Sequence, residues 1–116
     1  MSRSHRSALA KFRCGVAPIR LETGRYEQLP VGQRLCPFCQ NCVEDEYHVI
    51  LKCPIYDNIR SPLIDIALNM NPELGEFSVD MLYYILANED TNVQRLSAKT
   101  LHAILQCRKE KLYGNQ

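Results

Sequence analysis

With 116 residues, 46% hydrophobic and 23% charged, the chain has the size and composition of one folded domain spanning 1–116, which argues against disorder throughout. It contains no 18-residue apolar run, and its leading MSRSHRSALAKF lacks the apolar core of a signal peptide, so no membrane contact is expected and an intracellular place, nucleus or cytoplasm, is. The net charge of +1 is unevenly spread: residues 1–35 carry seven Lys/Arg against two Asp/Glu, residues 54–96 carry two against seven, and residues 97–116 carry four against one.

The expected fold is mostly α, a small helical domain built around a Cys-Cys-His-Cys zinc knuckle. A basic helical lead-in (1–35), the knuckle (36–60) and C-terminal helices (61–116) follow one another. Residues 4–14 predict a first helix, capped by Ser4 and ended by Gly15 in the left-handed conformation. Ala8, Leu9 and Phe12 give it an apolar face, and the isolated Cys14 is expected to be a core thiol. Pro18 opens one or two further helical turns that stop near Gly24, and Tyr26 is expected to pack on the core rather than stack on a base. Residues 27–35, with Pro30 and Gly32, predict a loop.

The next stretch, CPFCQNCVEDEYHVILKC, holds four of the six cysteines. Six cysteines in a chain with no secretion signal point to metal ligands and buried thiols rather than disulfides. Cys36 and Cys39 form a C-x2-C pair, and His48 and Cys53 follow at spacings that let a second segment complete a tetrahedron. The leading ligand set is therefore Cys36, Cys39, His48 and Cys53, holding Zn2+. A rival set replaces His48 with Cys42, and the bland alternative is a group of reduced thiols beside a satisfied histidine. Four protein ligands leave no position for a reactive water, so the zinc is expected to be structural. The CPFC turn predicts backbone N–H groups aimed at sulfur. Glu44, Asp45 and Glu46 suit the first turn of a helix from about 44 to 52. Cys53-Pro54 ends that helix at a corner from which Cys53 can turn back to the ion.

Ile55, Ile59, Leu63, Ile64, Ala67 and Leu68 have helical spacing, interrupted by Pro62, with Ser61 capping a second piece. Asn71-Pro72 and Gly75 predict a turn. Ser78 caps a helix whose face is Val79, Leu82, Tyr83 and Leu86, closed by Asn88. The last and longest helix spans about 91–112 with Val93, Leu96, Thr100, Leu101, Ile104, Leu105 and Leu112 as its stripe. His102 and Cys107 are read as core or surface residues, and the basic run from Arg108 to Lys111 as a complement to the helix C-terminus. Strand is expected only as a short ribbon at the CPFC turn.

Other chemistries fit less well. The residues before CPFC do not form the long buried strand of a thioredoxin-like redox site, a two-zinc ring needs eight ligands, and a Cys–His nucleophile is poorly separated from metal capture. The pattern Cys36, Cys39, Glu44, His48, the apolar Val49 to Leu51, Cys53 and Pro54 resembles the zinc-binding region at the C-terminal end of reverse transcriptases of non-LTR (LINE-type) retrotransposons. Upstream, ALAKFRCGVAPIRLETGRY is similar to the helix preceding the cysteines in that family, so the likeness covers residues 7–60. Cys42 is additional to the pattern. The resemblance implies a non-catalytic helical zinc module that binds RNA or DNA, and no polymerase or nuclease motif accompanies it here. The chain looks like a detached or domesticated tail of such an element. The basic residues Arg6, Lys11, Arg13, Arg20, Arg25 and Arg34 are the candidate nucleic-acid contacts. The alternative is a zinc-stapled protein–protein interaction module, docking a partner or a second copy through its acidic middle or last helix.

Overall fold

The structure, a computed structural model, describes residues 1–75 and 78–114. Among the described residues five helices carry the fold: α1 (Arg3–Arg13), α2 (Arg20–Tyr26), α3 (Asp57–Met70), α4 (Val79–Ala87) and α5 (Thr91–Tyr113). Between α2 and α3 lie a 3-10 turn at Val31–Gln33, a π turn at His48–Lys52 and a second 3-10 turn at Pro54–Tyr56. The protein is thus mostly helical. Among the described residues the extended structure is a single antiparallel bridge, Leu35 to Val43, at the expected ribbon.

The first helix starts at Arg3, one residue earlier than expected, and its cap lies two residues earlier. Ser2, not Ser4, is the cap, and its Oγ accepts the His5 N–H at 3.1 Å. At the other end Gly15 takes a φ of +71°. The Gly15 N–H reaches the Phe12 carbonyl and the Val16 N–H reaches that of Lys11, which is the paired closure a left-handed glycine makes possible. Ala8, Leu9 and Phe12 face the core. Cys14, expected to be a core thiol, is exposed, because it lies past the last turn that presents the apolar face.

Gly24 does not stop α2. The helix runs through it, and its missing side chain makes room for Arg34, whose Cγ would lie 2.5 Å from a Cβ at this position. Tyr26, expected to pack inside, is 75% exposed. Pro62 likewise fails to divide α3, which is continuous across it. The Pro62 ring faces solvent, and so does Asn58, whose carbonyl is the one left without an N–H donor one turn back.

Ser78 caps α4 as expected, accepting the Met81 N–H at 3.1 Å, but the helix is rotated from its expected face. Met81 and Ile85 are buried, whereas Val79 and Tyr83 point outward. A nine-residue helix with apolar residues nearly all round offers two stripes, and contact with α5 selected one.

The fifth helix is the spine. It packs against α1, α3, α4 and the π turn, with Val93, Ala98, Leu101 and Ile104 buried. Phe12, Ile19, Ile50, Leu51, Leu63, Met81 and Ile85 complete one apolar core that also takes in Cys36 and Cys53. Burying side chains of this size contributes roughly 1.5–3 kcal/mol each before chain entropy is set against it.

Candidate metal centre

The two halves of the centre are built differently. Cys36 and Cys39 sit on a turn held by the Cys36 N–H donating to the Cys42 carbonyl and the Gln40 N–H donating to the Cys36 carbonyl, both at 2.9 Å. Gln40 adopts a φ of +59°, the sharp reversal that closes this turn. The backbone N–H groups of Phe38 and Cys39 are directed at the Cys36 sulfur, as the CPFC pattern predicts. Phe38 meets the buried Tyr56 edge-on at 6.4 Å, pinning the turn to the core.

His48 and Cys53 come from the π turn. Positions five apart diverge on a straight α-helix, and the sequence predicts that Cys53 turns back to His48 from a corner after a helix over 44–52. The chain instead widens its last turn, so that the Cys53 N–H bonds the His48 carbonyl at 2.7 Å, an i to i+5 closure that brings both residues to one side. Asp45, rather than the acid run as a whole, starts this turn: its Oδ1 accepts the His48 N–H at 2.8 Å. Cys53 then leaves in extended conformation, with Pro54 opening the next turn.

Together these segments bring the Cys36, Cys39 and Cys53 sulfurs and a ring nitrogen of His48 within 4.8 Å of one another. Cys36 Sγ and Cys53 Sγ are 3.8 Å apart, and Cys39 Sγ lies 3.3 Å from His48 Nε2. A tetrahedral ion with metal–sulfur bonds of about 2.3 Å and metal–nitrogen bonds of about 2.0 Å has edges of roughly 3.8 and 3.6 Å. The donor set therefore fits a four-coordinate metal ion. Cys42 lies outside the group and is exposed. All six cysteines are free thiols. A recess of ~490 Å³ borders Cys39 and His48, while Cys36 and Cys53 are fully buried.

Burial sets the proton chemistry. It pushes the Cys53 thiol up to about 12, helped by the neighbouring Cys36 and Cys39. Burial also raises Cys36, against the pull of the two backbone N–H groups. It lowers His48, with Asp45 and Glu44 opposing, so the imidazole is neutral and ready to ligate at neutral pH.

Two buried arginines support the site, and neither was expected. Arg60 on α3 donates through Nη2 to the carbonyls of Val49 and Cys53, at 3.1 and 2.6 Å, satisfying carbonyls freed where the π turn ends. Burial lowers the Arg60 guanidinium, with the charges of Asp57 and Cys53 opposing that shift. Arg108 on α5 grips Glu44 with Nε at 2.9 Å and Nη2 at 2.7 Å. Glu44 is fully buried and also accepts the Arg20 N–H at 2.6 Å, so it caps α2 while tying it to α5. Its carbonyl and N–H bond Leu21 and Arg34 as well. Burial would lower the Arg108 guanidinium, but the Glu44 hydrogen bonds and charge outweigh it and the net shift is upward. A signal for both was present: Arg60 is in helical register with Leu63, Ile64 and Ala67, and Arg108 with Leu101 and Ile104.

The six basic residues singled out in the N-terminal third have different surroundings. Arg34 donates to the carbonyls of Leu29 and Leu21, both at 2.9 Å, and Arg13 caps α4 by donating to those of Leu86 and Asn88. Arg20 pairs with Glu27, and Arg25 with Glu22. Arg6 and Lys11 are exposed on α1 and make no ion pair with any described residue.

No helix of the described residues is long and apolar enough to cross a membrane. No family model, curated protein or solved structure matches the chain. The likeness to the retrotransposon region stands on its motif residues alone.

Proposed function

We propose that this chain is a non-catalytic zinc module of retrotransposon reverse-transcriptase origin that binds RNA or DNA. The observation that carries the metal half is the convergence of Cys36, Cys39, His48 and Cys53 with Cys42 excluded. Thiolate-rich, tetrahedral and nitrogen-completed donor sets favour zinc over harder ions. When bound, the ion would cross-link the CPFC turn to the π turn. The chain's own residues do the rest: Arg60 holds the π turn's carbonyls and Glu44 clamps the motif to α2 and α5. With four protein ligands no open position remains, which supports a structural role. The exposed cations of α1 support the nucleic-acid half.

A protein-interaction role is the second reading. The feature favouring it is the outward face of α4, where Val79 and Tyr83 are 55% and 66% exposed.

Native mass spectrometry of wild type, His48→Ala and Cys42→Ala tests the metal. One zinc per chain is expected in wild type and in Cys42→Ala, and none in His48→Ala. Metal-free wild type, or retention in His48→Ala with loss in Cys42→Ala, overturns the ligand set. Retention of labelled RNA or DNA by the zinc-loaded chain, weakening with salt, then separates the two functional readings.

A further inference from the structure

A groove of ~1150 Å³ opens between α1, α2 and the C-terminal half of α5, on a different set of residues from the recess beside Cys39 and His48. Its walls are cationic. Arg3 and Lys11 stand two helical turns apart on α1, and Lys109 faces them from α5. None of the three forms an ion pair with a described residue. The groove's acid, Glu27, is already paired with Arg20, and its further arginine, Arg108, is held from within by Glu44. An uncompensated positive groove calls for a polyanion.

Two tyrosines on the same walls narrow its class. Tyr26 and Tyr113 are 75% and 67% exposed, so neither serves the core. The Tyr26 ring is oriented before any ligand arrives: its hydroxyl donates to Glu22 at 3.2 Å, and the Arg25 guanidinium lies 5.6 Å from the ring centroid. Exposed rings beside cations in a concave surface match the way unpaired bases are stacked while their phosphates are neutralised. A duplex hides its base faces and is read by a protruding helix or ribbon, not by a recess.

We propose that this groove binds a single strand of nucleic acid, with Tyr26 and Tyr113 stacking bases and Arg3, Lys11 and Lys109 holding phosphates. The inference rests on the nucleic-acid reading above and adds where the strand lies and that it is unpaired. The metal centre acts on the groove from behind: Pro37 of the CPFC turn forms part of its wall, and Glu44 fixes Arg108 and the start of α2.

Fluorescence anisotropy on the zinc-loaded full chain tests it, with a labelled mixed-sequence single-stranded 12-mer as DNA and RNA, the matching duplex, and poly-glutamate as probes. Single strands are expected to bind at least tenfold more tightly than the duplex, with log K falling by about 2 per log unit of salt for three phosphate contacts. Tyr26→Ala and Tyr113→Ala should each weaken binding about tenfold. The pair Lys11→Glu and Lys109→Glu should weaken it further, while Lys99→Glu, outside the groove, should not. Circular dichroism checks that each variant folds. Single-strand binding untouched by the groove variants overturns the groove and leaves the nucleic-acid reading standing. Duplex preference, or poly-glutamate bound as tightly and without the tyrosines, also overturns it. Binding of no probe overturns both readings.

Discussion

Glu44 does more than any other residue to join the metal motif to the rest of the molecule. A carboxylate this deep is retained because two guanidinium nitrogens and a helix-start N–H surround it. Glu44→Ala is expected to lose about 3–5 kcal/mol in urea unfolding, because it leaves Arg108 buried and unpaired. Adding Arg108→Met should restore a large part, whereas an unchanged midpoint in the single variant would show the pair to be dispensable. Gly24 is the second telling residue. On helix propensity alone Gly24→Ala should stabilise α2 by about 1 kcal/mol. The new Cβ would meet Arg34 Cγ and Cδ at 2.5 and 2.9 Å, and those atoms cannot swing away without giving up the carbonyls of Leu21 and Leu29. The net expectation is a loss of about 1–3 kcal/mol, read as a lower melting temperature; a rise would mean that Arg34 moves freely.

At the scale of elements, the π turn is the device that brings the candidate ligands together. Its extra residue per turn turns a divergent pair, His48 and Cys53, into a convergent one, and Arg60 satisfies the carbonyls it leaves over. The third helix shows how an element outlasts a breaker. Leu63, Ile64 and Ala67 bury one side, and Pro62 sits on the other, so packing outweighs the lost backbone bond. Pro62→Ala should therefore stabilise the protein by about 2 kcal/mol, within the roughly 3 kcal/mol ascribed to an interior proline. Urea titration measures this, and destabilisation would place Pro62 at a real break in the helix.

For the whole molecule, zinc on the proposed set would tie the CPFC turn to the π turn, which packs against α3 and α5. Structural zinc contributes about 10–16 kcal/mol in small peptides, so chelation should cause a large drop in melting temperature and helicity. Circular dichroism with and without chelator decides this, and coincident melting curves would refute a structural ion. The pH dependence has a definite sign. Burial holds the Cys36 and Cys53 thiols protonated at neutral pH, and ligation needs thiolates, so binding must release at least those protons. Affinity should climb with pH, by about 100-fold per unit or more below pH 8. His48, lowered by burial and already neutral, adds proton competition only at acid pH. Calorimetry in two buffers of different ionisation enthalpy counts the released protons, and a pH-independent affinity would contradict the thiolate set.

By itself the sequence determined that the C-terminal half is helical, though not that α3 runs unbroken across Pro62, and it determined the Ser78 and Gly15 caps and the four candidate ligands, because periodicity, capping and ligand spacing are local and act within a few residues. It located the acids before His48 but not their work: Glu44 is a clamp because Arg108, 64 residues on, meets it inside the core. Which side of α4 is buried, that Gly24 is a socket for Arg34, and that Arg3, Lys109 and two tyrosines share one groove were decided only by the tertiary structure. These are relations between distant segments, and a side chain's neighbours across the core leave no mark on the residues beside it in the chain. Arg60 and Arg108 lie between the two cases. Their register in an apolar stripe was visible, but only folding supplied the carbonyls and the carboxylate that let a charge stay there.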